Sequence, residues 1–317
     1  MENILVIINP RAGKKKNNAF FEKINRYFSE NVSNAVVRYT NYSGHATRLA
    51  ENAYNYDRVI CVGGDGTLNE VCNGLMSFPG ENRPALGYIP CGSTNDFAKG
   101  IGLPSGLSGC LKLALSDDLN PIDIGLFKAD DIYSRHFTYV ASFGLFTDIS
   151  YNTSQSIKNK FGHMAYIFEG IKNLSEFQKY RPFKLKIKTE DSFIEEEYIF
   201  GAISNSTSIG GLVKLDKKHV KVNDGLFELM LIKKPKNFLE LTDTVTRLYN
   251  KKYSFEKIVF RHCSHLTLQS EIPVNWTLDG EYAGSFASVE IEVIENAIDT
   301  VRPAEIRTKP LFVKKLP

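Results

Sequence analysis

A run of closely spaced glycines, Gly63-Gly64-Asp65-Gly66-Thr67, constrains the fold of this chain more than any other feature. It follows the apolar strand candidate Val59–Val62 and precedes a pattern of helical period from Leu68 to Leu75. Glycines at such a turn let backbone N–H groups approach phosphate oxygens, and the following helix presents its N-terminus to negative charge. The pattern favours a phosphate site at the end of a buried strand, although a plain strand-to-helix turn would share it.

Three more β-branched runs in the first third of the chain are predicted strands: Ile4–Ile8, Val36–Tyr39 and Leu86–Ile89. Helical patterns lie between them. Apolar residues share one helical face at Phe20, Phe21, Ile24, Tyr27 and Phe28, and again at Ala46, Leu49, Ala50, Ala53 and Tyr54. Strands that alternate with helices indicate a doubly wound α/β domain with a parallel sheet, which we place at residues 1–120.

The pattern changes at about Pro121 to strand-like runs separated by Gly, Asn and Asp. These runs are Phe137–Phe143, Ile194–Ile203, Leu226–Ile232, His265–Gln269 and Val289–Ile294. They predict an antiparallel sandwich or barrel over residues 121–302, with a helix inserted at 162–177. Residues 303–317 have too few apolar positions for a core of their own, and we expect them to dock back on one of the domains.

Two further loops follow predicted strands of the parallel sheet. Asn9-Pro10-Arg11-Ala12-Gly13 follows the first strand, and the segment from Pro90 to Phe97 follows the fourth. Either loop alone reads equally well as a turn or a helix N-cap. Ligands of open α/β sheets bind at the carboxyl ends of the strands, so three loops meeting there favour a ligand site. The chain has no G-x-x-x-x-G-K-[ST] and no complete G-x-G-x-x-G motif, which excludes an ordinary P-loop and a standard dinucleotide turn.

Charge and hydropathy exclude other classes of protein. The 39 basic and 36 acidic residues leave a formal net charge of +3, far below the excess typical of nucleic-acid binders, but compatible with an anionic membrane surface. The apolar run Ile4–Ile8 is too short for a signal peptide or a membrane-spanning helix. Five cysteines without a C-x-x-C pair argue against a disulfide framework. We therefore expect a cytoplasmic protein without transmembrane segments.

Together with Gly44-His45-Ala46 and Leu278-Asp279-Gly280-Glu281, the three loops resemble the diacylglycerol kinase catalytic domain family, and within it the soluble bacterial lipid kinases. The likeness extends over nearly the whole chain in the family order. It implies a nucleotide domain similar to those of NAD kinases and phosphofructokinases, a C-terminal β-sandwich, and an active site between them. It also implies ATP and Mg²⁺ as cofactors, a lipid substrate such as diacylglycerol, and peripheral contact with the inner face of the membrane.

The resemblance assigns the nucleotide site residue by residue. It implies an ATP site lined by Asn9, Pro10, Arg11, Ala12, Gly13, Thr40, Gly64, Asp65, Gly66, Thr67, Leu68, Asn69, Glu70, Ser93 and Asn95. Asp65 would act at the phosphates and the metal, while Asn95 and Asp96 would support the cleft. Family members commonly have Thr where this chain has Ser93, and the hydroxyl is retained.

Asp279 and Glu281 flank Gly280 after the alternating strand Val274–Leu278. If the strand continues, both carboxylates project from one face, and one of them could act as general base on a substrate hydroxyl. A strand-end turn with surface acids would have the same sequence. The family places its proton acceptor in this motif, and the choice between the two carboxylates stays open.

The segment Lys221–Leu226 reads as a turn that enters the next strand, with Asp224-Gly225 at the bend. The resemblance implies a structural Mg²⁺ here, held by the Asp224 side chain and the carbonyls of Lys221 and Leu226, since oxygen ligands suit that ion.

Two other functions remain open at this stage. The glycine run also occurs in NAD kinases and related kinases of soluble alcohols, and a regulator without catalysis could keep the fold. A regulator predicts a damaged motif, whereas Asp65, Asp96, Asp279 and Glu281 are all present. Which lipid is used (diacylglycerol, phosphatidylglycerol or a sphingoid base) and whether the protein forms a homodimer are also open. The basic and apolar segment 157–188 is either a membrane contact or an ordinary solvated helix.

Overall fold

The computed structural model describes residues 2–13, 18–145, 181–209 and 213–303. The predicted helix at 162–177, most of the 157–188 segment and residues 304–317 lie outside these ranges. No helix among the described residues is long and apolar enough to cross a membrane.

The N-terminal part is a parallel sheet in the strand order β4-β3-β1-β2. Its strands are β1 (Ile4–Ile8), β2 (Ala35–Tyr39), β3 (Arg58–Gly63) and β4 (Ala85–Pro90). Its helices are α1 (Asn18–Asn31), α2 (His45–Glu51), α3 (Asp65–Leu75), α4 (Asp96–Gly100) and α5 (Leu107–Ala114), with a 3₁₀ turn at Gly80–Asn82. The three central strands β1, β3 and β4 are almost wholly buried, as expected for parallel strands covered on both faces.

Helices cover both faces of this sheet. On one face α1 buries Phe21, Ile24 and Phe28 in the same core cluster as Leu111 of α5. On the other face α2 and α3 pack together in a second cluster. One predicted core residue is wrong: Tyr54 is 76% exposed, because α2 ends at Glu51 and the chain turns before Tyr54 can continue the helical face.

The C-terminal part is mainly antiparallel. Its strands are β5 (Leu119–Ala129), β6 (Tyr133–Phe137), β7 (Val140–Gly144), β8 (Phe183–Thr189), β9 (Phe193–Ser204), β10 (Ser208–Ile209), β11 (Val213–Lys214), β12 (Phe227–Lys233), β13 (Ile258–Cys263), β14 (His265–Leu278) and β15 (Glu281–Val301). One helix, α6 (Phe238–Tyr249), follows β12. The strand order is β13-β12-β9-β7-β14-β15, and β8 also pairs with β9 and β14. Apolar side chains around the fully buried Trp276 form the core of this part.

Strand β15 belongs to both parts of the molecule. Over its length it pairs antiparallel with β14 and then β5, and near its end Thr300 pairs in parallel with Leu86 of β4. Among the described residues, all strands except the short pair β10 and β11 therefore belong to one continuous 13-stranded sheet.

Two features of this part differ from the prediction. The run Phe137–Phe143, predicted as one strand, is broken between β6 and β7, because the N–H groups of Thr138 and Tyr139 donate to the Asp279 carboxylate. Helix α6 was not predicted. It begins after Asn237, whose side chain caps it by accepting from the Glu240 N–H.

Candidate active site

A cleft of about 420 Å³ lies where the loops after β1, β2, β3 and β4 meet the start of β15. It is lined by Asn9, Arg11, Ala12, Gly13, Thr40, Asn41, Tyr42, Ser43, Gly64, Gly66, Thr67, Glu70, Gly92 and Glu281. The three loops singled out in the sequence thus contribute to one cavity, at the carboxyl ends of the parallel strands. Glu281 adds a carboxylate from the C-terminal part.

Glycines bring the walls of the cleft together. A Cβ on Gly64 would lie 3.2 Å from the Gly92 Cα, and one on Gly92 would lie 2.8 Å from the Gly64 Cα, so only glycines let these two loops approach so closely. A Cβ on Gly66 would lie 2.5 Å from a carboxylate oxygen of Glu281. Glu281 therefore lies directly beside the first turn of α3, whose free N–H groups favour negative charge.

Asn9 connects the first loop to α3. Its Nδ2 donates to Thr67 Oγ1 at 2.8 Å, and its Oδ1 accepts from the Arg11 N–H at 2.9 Å. These bonds hold the backbone of the first loop against the glycine run. The exposed Arg11 side chain supplies a positive charge at the mouth of the cleft.

Glu70 anchors the wall formed by residues 41–44. Its carboxylate accepts from the N–H groups of Gly44 at 2.8 Å and Ala46 at 3.1 Å, at the start of α2, and its backbone carbonyl accepts from Thr47 Oγ1 at 3.0 Å. Although the residue lines the cavity, its charge is already satisfied by α2. Its role in this geometry is to fix the loop that faces a ligand.

Asp65 has an unsatisfied carboxylate oxygen. Its Oδ2 accepts from the Asp96 N–H at 3.2 Å, whereas its buried Oδ1 has no hydrogen-bond partner in the part of the chain that the structure describes. Burial, followed by the negative charge of Asp96, raises the pKa of Asp65 to about 6. An unpaired buried oxygen costs free energy and fits a donor or a divalent cation brought by a ligand.

Asp96 lies at the start of α4 and is 2% exposed. Its Oδ1 accepts from Ser208 Oγ at 3.3 Å and lies 3.7 Å from Lys99 Nζ. Asp96 therefore links the fourth loop to β10 of the C-terminal part.

Asp279 and Glu281 do not share a face as a continued strand would require. Strand β14 ends at Leu278, Asp279 and Gly280 form a two-residue hairpin turn with φ values of 50° and 83°, and Glu281 begins β15 paired with Leu278. Positive φ at both central residues is the type I′ signature that Asp-Gly favours. Of the two arrangements that the sequence left open, the strand-end turn is the one that forms, and it gives each carboxylate its own surroundings.

Asp279 is 4% exposed and fully hydrogen-bonded. Its Oδ2 accepts from Asn69 Nδ2 at 2.8 Å and from the N–H and Oγ1 of Thr138, both at 2.7 Å. Its Oδ1 accepts from the N–H groups of Tyr139 at 3.0 Å and Val140 at 3.1 Å. Burial raises the pKa of Asp279, and these donors oppose that rise. Asp279 thus serves as the anchor that ties the hairpin to β6, β7 and α3.

Glu281 is half-exposed in the cleft. Arg135 of β6, a residue that no sequence pattern marks, donates through Nη2 to Glu281 Oε2 at 3.0 Å and to Asn69 Oδ1 at 2.5 Å. Since Asn69 also donates to Asp279, the four side chains form one connected network. It leaves Glu281 as the carboxylate of the pair that a substrate can reach.

Several residues of the expected ATP site have other positions. Leu68 is fully buried in the core, and Asn69 faces Asp279, so neither side chain lines the cleft. Asn95 has a left-handed backbone and bonds both the N–H and the carbonyl of Gly92, which stiffens the fourth loop. Ser93 and Pro10 are exposed in their loops.

The Lys221–Leu226 turn contains the more exposed carboxyl group of Asp224 and lies near the buried carboxyl groups of Asp123 and Glu228. Asp224 Oδ1 accepts from the Leu226 N–H at 3.3 Å, and Asp123 accepts from the N–H groups of Gly225 and Asn296, both at 2.7 Å. Burial raises the pKa of Asp224, and it raises that of Glu228 to about 9.

The orphaned, buried Oε2 of Glu228 and the oxygen-rich donors of this turn fit a hard cation such as Mg²⁺. No group of three or more His, Cys, Asp or Glu side chains within the described ranges could hold a metal. A cation here would therefore depend on backbone carbonyls in addition to Asp224.

Comparisons with known proteins bear on the family and the fold of this chain. Residues 3–127 match the model of the diacylglycerol kinase catalytic domain. The diacylglycerol kinase of Bacillus subtilis (strain 168) is 30% identical over 311 residues, which cover 96% of this chain and 98% of the relative. That of Staphylococcus haemolyticus (strain JCSC1435) is 29% identical over 313 residues, covering 96% and 90%.

Solved structures share the fold. A structure described as a diacylglycerol kinase from Bacillus anthracis str. Sterne superposes with a TM-score of 0.74 at 23% identity, covering 95% of this chain and 97% of that one. Another from the same organism reaches a TM-score of 0.79 at 24% identity, with the same coverage.

Proposed function

The chain belongs to the diacylglycerol kinase catalytic domain family, and from that premise we propose that it transfers the terminal phosphate of ATP to a lipid hydroxyl. Diacylglycerol is the substrate we propose, with phosphatidic acid as the product. The proposal rests on one observation above all: a reachable carboxylate, Glu281, lies beside the first turn of α3 in a glycine-lined cleft.

The nucleotide side of the cleft has the properties that phosphates require. The glycine run, the first turn of α3 and Arg11 offer N–H donors and positive charge, and phosphoryl transfer depends mainly on such positioning and charge neutralisation. We assign residues 1–120 to nucleotide binding, in the manner of NAD kinases and phosphofructokinases, and residues 121–302 to the lipid.

Glu281 is the general base in this proposal, and Asp279 is not. Glu281 accepts the proton of the lipid hydroxyl while that oxygen bonds the terminal phosphorus of ATP, and the bond from phosphorus to the bridging oxygen of ADP breaks. Asp279 is buried and accepts five hydrogen bonds, which leaves it no position for a substrate. Arg135 and Asn69 orient Glu281.

Asp65 and Asp224 are the residues we assign to magnesium. The orphaned Oδ1 of Asp65 would hold the Mg²⁺ that accompanies ATP, and a bound ion there would neutralise charge on the transferred phosphate. Asp224 with the carbonyls of Lys221 and Leu226 would hold a second, structural ion.

Transfer of labelled terminal phosphate from ATP tests the proposal. The acceptors are detergent-dispersed diacylglycerol, phosphatidylglycerol, ceramide and sphingosine, with NAD in parallel. We expect labelled phosphatidic acid from the wild type and a rate about 10²- to 10⁴-fold lower for Glu281→Gln, because the variant cannot accept a proton. Glu22→Gln, an exposed substitution on α1 with the same change of charge, should retain the full rate.

The other products separate the competing functions. Labelled NADP would place the chain among the kinases of soluble alcohols. ATP binding without any labelled product would contradict catalysis and favour a regulator. An unchanged rate in Glu281→Gln would overturn the assignment of the base.

A further inference from the structure

Helix α6 exposes large apolar side chains on its outer face. Its inner positions Leu241, Thr244 and Leu248 are buried, whereas Leu239 is 79% and Tyr249 is 68% exposed. Spacings of three and four residues place these two large side chains at opposite ends of one helical face, with Thr242 and Thr246 between them. The face is therefore apolar at both ends and carries no net charge in its centre.

The acidic residues of α6 are neutralised within the protein. Asp243 accepts from Arg247 at 2.8 Å, and Glu240 lies 3.3 Å from Lys257 Nζ. By contrast, no salt bridge in the described ranges involves Lys236 before the helix or Lys251 and Lys252 after it, and all three are exposed. Basic charge thus flanks the exposed face at both ends.

The basic charge is concentrated in this region of the chain. Residues 214–261 contain twelve Lys or Arg but only six Asp or Glu, so the remainder of the chain has slightly more acidic than basic residues. The small net charge of the whole molecule conceals this asymmetry. The exposed lysines of this segment attract anionic partners within about a Debye length.

The exposed face is joined to the substrate side of the cleft through a shared core. Leu241 and Leu248 of α6 lie in the same apolar cluster as Ile209 of β10 and Phe97 of α4. Ser208 of β10 donates to the neighbouring Asp96, which supports the cleft. Helix α6 contacts β11, β11 pairs with β10, and β10 contacts α4, so α6 is connected to the cleft support through the C-terminal part.

We propose that the outer face of α6 docks on an anionic lipid surface, with Leu239 and Tyr249 entering the interface and Lys236, Lys251 and Lys252 contacting headgroups. The inference rests on the proposed lipid kinase function and deepens it, because it locates the membrane contact. A second copy of this chain fits less well than a membrane, since a symmetric contact through this face would bring the same lysines together.

Co-sedimentation with vesicles tests the docking surface directly. The full chain should bind vesicles that contain phosphatidylglycerol and should bind phosphatidylcholine vesicles far more weakly. Each lysine contributes roughly fivefold to partitioning near an anionic surface. The triple variant Lys236→Gln, Lys251→Gln, Lys252→Gln should therefore lose about a hundredfold in binding. The control Lys23→Gln, Lys112→Gln removes exposed lysines from α1 and α5 and should bind like the wild type.

A fluorescent reporter distinguishes insertion from simple attraction. The single natural tryptophan, Trp276, is fully buried and gives a constant background, so a Leu239→Trp variant reports on the helix. We expect a blue shift on adding phosphatidylglycerol vesicles. No shift, or equal losses for the triple variant and its control, would overturn the proposal, as would a wild type that dimerises through α6 instead.

An activity assay in detergent micelles distinguishes failure of the docking proposal from failure of the proposed lipid kinase function. The triple variant should phosphorylate micellar diacylglycerol at the wild-type rate, because a neutral micelle does not need the lysines. Loss of vesicle binding with this activity retained supports docking through α6. Absence of lipid phosphorylation in the wild type would instead contradict the proposed function and leave the binding data unaffected.

Discussion

Surroundings, rather than residue type, separate the two carboxylates of the Asp279-Gly280-Glu281 motif. Asp279 is enclosed by five donors, and Glu281, two residues later, is half-exposed beside Gly66. The sequence could place both acids at the site, but it could not distinguish them, because the donors to Asp279 come from residues 69 and 138–140, far away in the chain. Arg135 could not be found from the sequence for the same reason.

Asp279→Asn should lower the free energy of unfolding by about 3 kcal/mol. Either orientation of the new amide turns its NH₂ group toward N–H donors that the carboxylate now accepts from. Asparagine tolerates the positive φ of this residue, so the backbone contributes little. Urea unfolding measures the loss, and Glu281→Gln should change stability by less than about 0.5 kcal/mol. Equal effects of the two variants would contradict the roles assigned to them.

The raised pKa of Asp65 predicts that the free energy of unfolding of the protein depends on pH. The pKa of Asp65 is raised from its usual 3.8 to about 6, so the folded state holds the proton more tightly than the unfolded chain does. Proton binding to Asp65 therefore stabilises the folded protein. This contribution is complete below the pKa that Asp65 has in the unfolded chain, and it is lost as the pH rises through the pKa that Asp65 has in the folded protein.

Asp65→Asn should therefore melt several degrees above the wild type at neutral pH, with the difference shrinking as the pH falls from about 6 to about 4. Thermal unfolding at a series of pH values measures this difference. A difference that does not change with pH would show that the Asp65 carboxyl is not perturbed in the folded protein.

At the scale of elements, the contact of α2 with α3 depends on one glycine. A Cβ on Gly74 would lie 2.5 Å from the Thr47 carbonyl oxygen and 2.6 Å from the Ala50 Cβ. Gly74→Ala should therefore separate the two helices and cost about 2–3 kcal/mol of stability. Gly80→Ala is the matched control, since its Cβ would meet nothing within 4 Å, and it should change stability by less than about 0.5 kcal/mol. Denaturant midpoints of the two variants compare them, and similar midpoints would refute the packing argument.

The strands of the parallel sheet could be predicted from the sequence to within one residue, because strands buried on both faces leave a continuous apolar run. Elements whose conformation depends on residues far away in the sequence could not be predicted in this way. The break at Thr138-Tyr139 exists to satisfy Asp279, and Tyr54 is exposed because α2 ends early. Helix α6 had a local signal, the Asn237 cap three residues before Glu240, which the surrounding strand patterns obscured.

At the scale of the whole molecule, the N- and C-terminal parts share an apolar core, and hydrogen bonds also connect them. One apolar cluster includes Leu5 of β1 as well as Met230 of β12. Asn73 of α3 donates to the His136 carbonyl at 3.0 Å and accepts from its N–H at 3.0 Å. These contacts oppose independent opening of the two parts.

Calorimetry should therefore show a single unfolding transition, with equal calorimetric and van't Hoff enthalpies. Asn73→Ala should shift the whole transition downward by several degrees without splitting it, because it removes partly buried hydrogen bonds between the two parts. Two resolved transitions in the wild type would show that the parts unfold separately.

Strand β15 starts at Glu281 in the C-terminal part and ends paired with β4 of the N-terminal part, so dividing the polypeptide between the two parts separates paired strands. A fragment that stops near residue 120 would leave the side of β4 that pairs with Thr300 open, and the complementary fragment would carry an unmatched strand end. Each piece would be prone to edge-to-edge aggregation on its own. Co-expressed, however, the same pieces hold complementary edges, so the junction just before β5, which begins at Leu119, is a natural position for a split version whose reassembly reports on two fused partners.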